Sequence, residues 1–190
     1  MSEYPISIVL RPSTDADVPT MLDIYSHHIQ HGIGDFKPEP PHLREIKRRR
    51  KVMLKRKMPH MVAECEGAVV GYAYAAPFRK QPAYRYTVEH SIYVHKDCLR
   101  LGIGGRLLPA LIRECAQAGF HQMIAVVDGT NQPSLALHAA FGFERSGVLR
   151  SVGFNPSSPP IGAPHANLTI LAANFRGSAP SRSPTPIVVP

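Results

Sequence analysis

Glu89-His90-Ser91-Ile92-Tyr93-Val94-His95-Lys96-Asp97-Cys98-Leu99-Arg100-Leu101-Gly102-Ile103-Gly104-Gly105 is the stretch on which the reading of this chain turns. The β-branched and aromatic run from Thr87 to Val94 predicts a strand. From Ile103 to Ala118 the apolar positions, among them Leu107, Leu108 and Leu111, recur at helical spacing and stop at Gly119. Between strand and helix lies a short, basic, glycine-rich turn. The first N–H groups of such a helix have no intrahelical partners and converge on one point. The helix dipole adds partial positive charge there, so the turn predicts a site for a pyrophosphate. Glycines at 102, 104 and 105 take away the Cβ atoms that would hold phosphate oxygens off the backbone. The spacing excludes a Walker loop, since no Lys-Ser/Thr follows, and a dinucleotide fingerprint, since there is no G-x-G-x-x-G.

Outward from this centre the chain alternates between strand and helix patterns. On the N-terminal side, residues 6–11 predict a strand. Thr14 and Asp17 form a capping-box start to a helix through Val18, Met21, Leu22, Ile24 and Tyr25, ended by Gly32 and Gly34. A second helix enters through Pro40 and Pro41 and stops before Pro59. Met61–Cys65 and Ala68–Ala75 read as a hairpin turning at Glu66-Gly67. On the C-terminal side follow a strand over Gln122–Val127, a short helix over Ser134–Phe141 and a strand over Glu144–Arg150. This order is α/β with a mixed, mostly antiparallel sheet flanked by helices. From Asn155 the composition changes: the remaining residues hold eight of the chain's 19 prolines. The expected division is a domain over 1–154, a divergent tail over 155–175 with a strand at Asn167–Phe175, and a disordered C-terminus over 176–190.

With 190 residues, 44% hydrophobic and 19% charged, the chain has the size and composition of one globular domain. No stretch has the length of a membrane span, and no basic-then-apolar start predicts a signal peptide. Cys65, Cys98 and Cys115 are odd in number and form no CxxC pair, so neither a disulfide framework nor a zinc site is expected and the cytoplasm is the simple location. Much of the net charge of +8 comes from nine basic residues between Arg44 and Lys57. Leu43, Ile46, Met53 and Leu54 recur among them at roughly helical spacing, so the run reads as a solvated amphipathic helix. It lacks the motif or aromatic interleaving of a nucleic-acid site. His27, His28 and His31 include an i, i+4 pair with no further ligand, which reads as an exposed helix end and not as a metal site.

The central segment resembles motif A of the GNAT acetyltransferases. The resemblance runs from about residue 6 to Gly153. Within that superfamily it is most similar to the phosphinothricin and methionine-sulfoximine N-acetyltransferases. Gly71-Tyr72-Ala73-Tyr74-Ala75, Tyr84-Arg85-Tyr86-Thr87-Val88-Glu89-His90-Ser91-Ile92-Tyr93-Val94, Asn131-Gln132-Pro133-Ser134, His138 and Phe141-Gly142-Phe143 carry the likeness. It implies the GNAT fold, with a sheet splayed at the acetyl-CoA site, and acetyl transfer to the amino group of a small amino-acid-like molecule. Backbone groups of Ile92, Tyr93 and Val94 are then expected to pair with pantetheine. Those of Arg100, Leu101, Gly102, Ile103, Gly104 and Gly105 would hold the pyrophosphate, and Asn131 would hold the pantetheine arm. Glu89 matches the general base. His138 stands where many relatives place a tyrosine acid beside the departing thiolate. Arg79, Lys80 and Gln81, with Glu89, His90 and Ser91, are expected on the substrate side. No metal is implied, and a homodimer is compatible with the resemblance.

The chemistry is reasonable on its own terms. An ammonium group is not a nucleophile until it loses a proton, which calls for a carboxylate beside the thioester. A strand N–H at Val94 would serve the carbonyl oxygen. Two places depart from the family pattern. Leu99 stands where a Gln or Arg usually precedes the turn. After Val152-Gly153 the usual glycine, tryptophan and acid are replaced by Asn155-Pro156-Ser157-Ser158-Pro159-Pro160, and the chain has no tryptophan. An N-acetyltransferase for another amine therefore stays open, as does an acyl-CoA-binding domain that no longer turns over.

Overall fold

The computed structural model describes residues 7–30, 39–153 and 166–175. Among the described residues, seven strands and four α-helices follow one another: β1 (Ile8–Pro12), α1 (Val18–Gln30), α2 (Leu43–Lys55), β2 (His60–Cys65), β3 (Ala68–Pro77), β4 (Thr87–Val94), α3 (Ile103–Gln117), β5 (Gln122–Asp128), α4 (Gln132–Ala140), β6 (Glu144–Gly153) and β7 (Ala166–Asn174). The strands form one sheet in the order β1-β2-β3-β4-β5-β7-β6. Every neighbouring pair is antiparallel except β4 and β5, which run parallel. The β2–β3 hairpin turns where the acid-glycine pair predicts: Glu66 and Gly67 both have positive φ, 49° and 82°, and Cys65 pairs with Ala68.

Two cores lie on opposite faces of the sheet. On one face α3 buries Ile103, Leu107, Leu108 and Leu111 against Ala73, Ala75, Val88 and Met123. Each such side chain stabilises the fold by about 1.5–3 kcal/mol relative to exposure. On the other face α1 packs Met21, Ile24 and Tyr25 on Tyr72 and Tyr93. The start of α1 is held by the expected capping box, in which Asp17 accepts from the Thr14 backbone N–H (2.6 Å) and hydroxyl (2.9 Å). A bidentate Arg11 guanidinium (2.8 Å to each oxygen) pushes the Asp17 carboxyl down to about 2.

Three expectations change. Arg50 of the basic helix is not solvated: it is buried and donates to the Ser13 hydroxyl, the Ser13 carbonyl and Asp15. Ile46 is buried beside it, whereas Leu43 and Leu54 are exposed, so the buried stripe of α2 runs through 46, 50 and 53. The strand expected at Asn167–Phe175 exists as β7, but it lies inside the sheet. It pairs with β5 on one side and β6 on the other, and Leu171 and Ala173 are buried there. Residues 166–174 thus belong to the same fold as the residues before 154. The glycine stop of α1 and the regions 155–165 and 176–190 lie outside the described residues.

Candidate active site

The parallel pair β4–β5 is short. Only Thr87, Val88 and Glu89 find partners, in Gln122, Met123 and Ile124. Beyond Glu89 the strands part, while β4 continues to pair with β3 as far as Val94 opposite Gly71. This separation opens a cleft of about 790 Å³. Its walls are the second half of β4, the turn into α3, the end of β5 and the start of α4.

The turn has the geometry of an anion cradle. Arg100 and Gly102 both have positive φ (62° and 75°), and Gly102 is the left-handed N-cap of α3. The N–H of Arg106 closes the first helical bond on the Gly102 carbonyl (3.1 Å), which leaves the preceding N–H groups at the cleft. A Cβ at Gly105 would meet no protein atom, whereas one at Gly104 would press on Leu137 at 3.1 Å. Gly71 serves a different purpose. Its missing Cβ would lie 3.0 Å from the Tyr93 carbonyl and 3.1 Å from Ile103, so a glycine there lets α3 dock its first turn on the sheet.

Side chains of β4 alternate between faces. Val88, Ile92 and Val94 join the α3 core and Tyr93 joins the α1 core, so Glu89 and Ser91 share the α1 face and His90 the α3 face. His90 and His138 stack there at 5.0 Å between ring centroids, with Phe143 edge-on to both. The His138 Nδ1–H donates to the Ser134 carbonyl (2.6 Å), because a carbonyl can only accept. Its Nε2 therefore accepts the Nε2–H of His90 (3.1 Å), and the buried Nδ1 of His90 is left without a hydrogen-bond partner. Burial lowers both pKa values; His90, next to a second imidazole, falls to about 3. The pair is thus neutral at pH 7 and has room for a single extra proton, since two cations 3.1 Å apart would repel. For His138 to act as an acid it must first be protonated, and its Nε2 faces His90.

The cleft collects Ile92, Tyr93, Val94, Arg100, Gly102, Ile103, Gly104, Gly105 and Asn131, together with Glu89, His90, Ser91 and His138. Asn131 caps α4 by accepting from the Ser134 N–H (3.1 Å) through Oδ1. Leu101 lies outside the cleft wall, turned to solvent at 45% exposure between the two positive-φ residues. Arg79, Lys80 and Gln81 are exposed and do not line the cleft, and the Arg79 guanidinium sits 5.3 Å from the Phe78 ring centroid. Several lining residues, among them Asp128 and Leu137, are not among the expected site residues, and two come from elements distant in the chain. His28 of α1 reaches the cleft from a run taken for an exposed helix end, and Leu168 brings the divergent tail into the wall. Among the described residues, no group of His, Cys, Asp or Glu could hold a metal, and no helix is long and apolar enough to cross a membrane.

Known proteins resemble this chain in sequence and fold. Residues 22–143 match the acetyltransferase (GNAT) family. The chain is 42% identical over 146 residues to phosphinothricin N-acetyltransferase of Alcaligenes faecalis, which covers 76% of this chain and 74% of that protein. It is 34% identical to an L-methionine sulfoximine/L-methionine sulfone acetyltransferase of Pseudomonas aeruginosa over 149 residues, 78% of this chain and 87% of the other. Among solved structures, a phosphinothricin acetyltransferase from Sinorhizobium meliloti in complex with acetyl-CoA superposes with a TM-score of 0.83 at 35% identity, covering 96% of each chain. An N-acetyltransferase from Staphylococcus aureus gives 0.82 at 29%, covering 88% of this chain and 98% of that one. The chain belongs to the GNAT acetyltransferase family, and it is an acetyl-CoA-dependent N-acetyltransferase.

Proposed function

We propose that this enzyme acetylates the α-amino group of small amino acids of the phosphinothricin and methionine-sulfoximine type, with Glu89 as general base. The observation that carries the reading is the parting of β4 and β5 directly after Glu89, which opens a passage between the two faces of the sheet. Acetyl-CoA supplies an activated acetyl thioester. The N–H groups of the turn into α3 hold its diphosphate, and the Asn131 side chain holds its arm. The free edge of β4 offers the Val94 N–H to the thioester oxygen, where negative charge builds during attack.

Glu89 lies on the α1 face, where the amine would approach, and takes the ammonium proton directly or through water. Direct attack needs no covalent enzyme intermediate, since both substrates are held together. Cys115 is buried with its thiol pushed up to about 12, and burial also raises Cys98, so neither is poised as a nucleophile. To serve as the acid for the departing thiolate, His138 would have to take up a proton and turn its Nε2 away from His90. Ala76 pairs with Glu89 in the β3–β4 ladder, so Arg79 leaves the sheet three residues beyond the base and supplies a cation for the substrate's anionic group. Lys80 and Gln81 stand on the same loop.

A thiol-release assay with acetyl-CoA tests the proposal. Phosphinothricin, methionine sulfoximine and methionine sulfone should raise the rate well above the amine-free background, and ordinary amino acids less. A rate at background across the whole panel would overturn this substrate class and leave either an N-acetyltransferase for another amine or an acyl-CoA-binding domain without turnover.

A further inference from the structure

Where β5 leaves β4, the backbone groups on that edge of β4 lose their ladder partners, and each needs another. The His95 N–H donates to the Val70 carbonyl (2.9 Å), so His95 faces β3. By alternation, the N–H and C=O of Val94 face the opposite edge, toward the cleft. There the Val94 carbonyl accepts from His28 Nε2 at 2.9 Å. A carbonyl offers no proton, so Nε2 is the protonated ring nitrogen. The peptide between Val94 and His95 is therefore gripped at both ends, by His28 on its oxygen and by Val70 on its N–H. His28 reaches this point from the last part of α1, with its ring at 62° to Tyr93 and centroids 5.5 Å apart.

We propose that His28 is a positioning residue that takes the place of the missing β5 donor and holds the end of β4 in register with the turn into α3. The proposal rests on the reading that the thioester lies along β4. A thioester bound there must reach the Val94 N–H while its diphosphate sits at Arg100–Gly105. The chain between these two points is anchored at its start by the His28 contact. Without that contact CoA should still bind at the turn, but the carbonyl oxygen would meet a loosened N–H.

Two variants of the full chain separate donation from packing. His28→Phe keeps a ring against Tyr93 and removes the donor; His28→Gln loses the ring and keeps an N–H donor. With acetyl-CoA and phosphinothricin, the Phe variant should lose about tenfold in kcat, a fraction of the loss when an oxyanion donor is deleted outright. Its CoA affinity by calorimetry should stay within about twofold, and the Gln variant should recover to within about threefold of wild type in kcat. In the ligand-free protein the Val94 carbonyl ¹³C resonance should move upfield in the Phe variant and return in the Gln variant. A Phe variant with wild-type kcat, equal losses in both variants, or an unmoved carbonyl resonance would overturn the proposal. If wild type acetylates no amine, the catalytic reading beneath it fails, whereas the carbonyl resonance decides the His28 contact without any turnover.

Discussion

Replacing Gly105 with aspartate should strengthen helix α3 and weaken the grip on acetyl-CoA. Gly105 is the third residue of α3, and a Cβ there meets no protein atom, so the substitution needs no repacking. Glycine is a poor helix residue and an acid in the first turn complements the dipole, so the two effects together should add about 0.5–1 kcal/mol to stability. For a chain of this size that is a rise of roughly 1–4 °C in Tm. The same carboxylate would stand at the cradle where the diphosphate is expected. One charge about 6 Å from two phosphate charges, at an effective dielectric between surface and bulk water, costs about 2–3 kcal/mol. That is a loss of roughly 30- to 150-fold in CoA affinity. Gly105→Asn has the same shape without the charge and isolates the electrostatic part. Calorimetry with CoA on all three proteins, beside thermal melts, is the assay. A folded Asp variant that binds CoA like the Asn variant would show that the diphosphate does not sit at this turn.

Glu89→Gln should lower kcat by about 10²-fold or more while CoA affinity holds, and wild-type turnover at neutral pH would remove Glu89 as the base. Thr169 is buried with its hydroxyl unpartnered, so Thr169→Val should leave stability unchanged or raise it by up to about 1 kcal/mol in urea melts. Burial, with Arg50 nearby, lowers His60 to about 4, as burial beside His138 lowers His90 to about 3. Below the unfolded value of about 6.5 the unfolded chain binds protons that the folded one refuses, so stability falls as pH falls. Between pH 7.5 and 5.5 each of these two histidines should remove about 1.4 kcal/mol, and His60→Phe, which keeps a ring on Tyr72 and Tyr74, should cut the loss of stability between the two pH values by about that amount in urea melts.

Local signals in the sequence located most elements because side-chain period and turn chemistry act over a few residues. The Glu66-Gly67 hairpin, the Thr14–Asp17 cap and the glycine-started α3 each depend on near neighbours, and each stands where the letters place it. Arg50 was not legible. Its burial depends on Ser13 and Asp15, more than 30 residues away, and no window along α2 contains them. The place of β7 was hidden for the same reason. Leu168, Ile170 and Leu171 announce a strand, but its insertion between β5 and β6 is set by partners on both sides.

The site divides along the same line. The turn and the run from Glu89 to Val94 are continuous in the chain, so one segment carries both the proposed base and the proposed diphosphate cradle. What that segment cannot express is which of its backbone groups go unpaired, since this depends on where β5 stops following β4. The His28 contact and the His90–His138 pair both arise at that parting. Each histidine fills a role that a β5 kept alongside β4 would have taken or blocked: a donor to the Val94 carbonyl, and a neutral ring pair in the space beside β4. Read along the chain, His28 is one of three histidines near the end of a helix, and nothing local singles it out from His27 or His31. The parallel ladder ends after its third pair, and that one irregularity both opens the cleft and creates the need that these side chains meet.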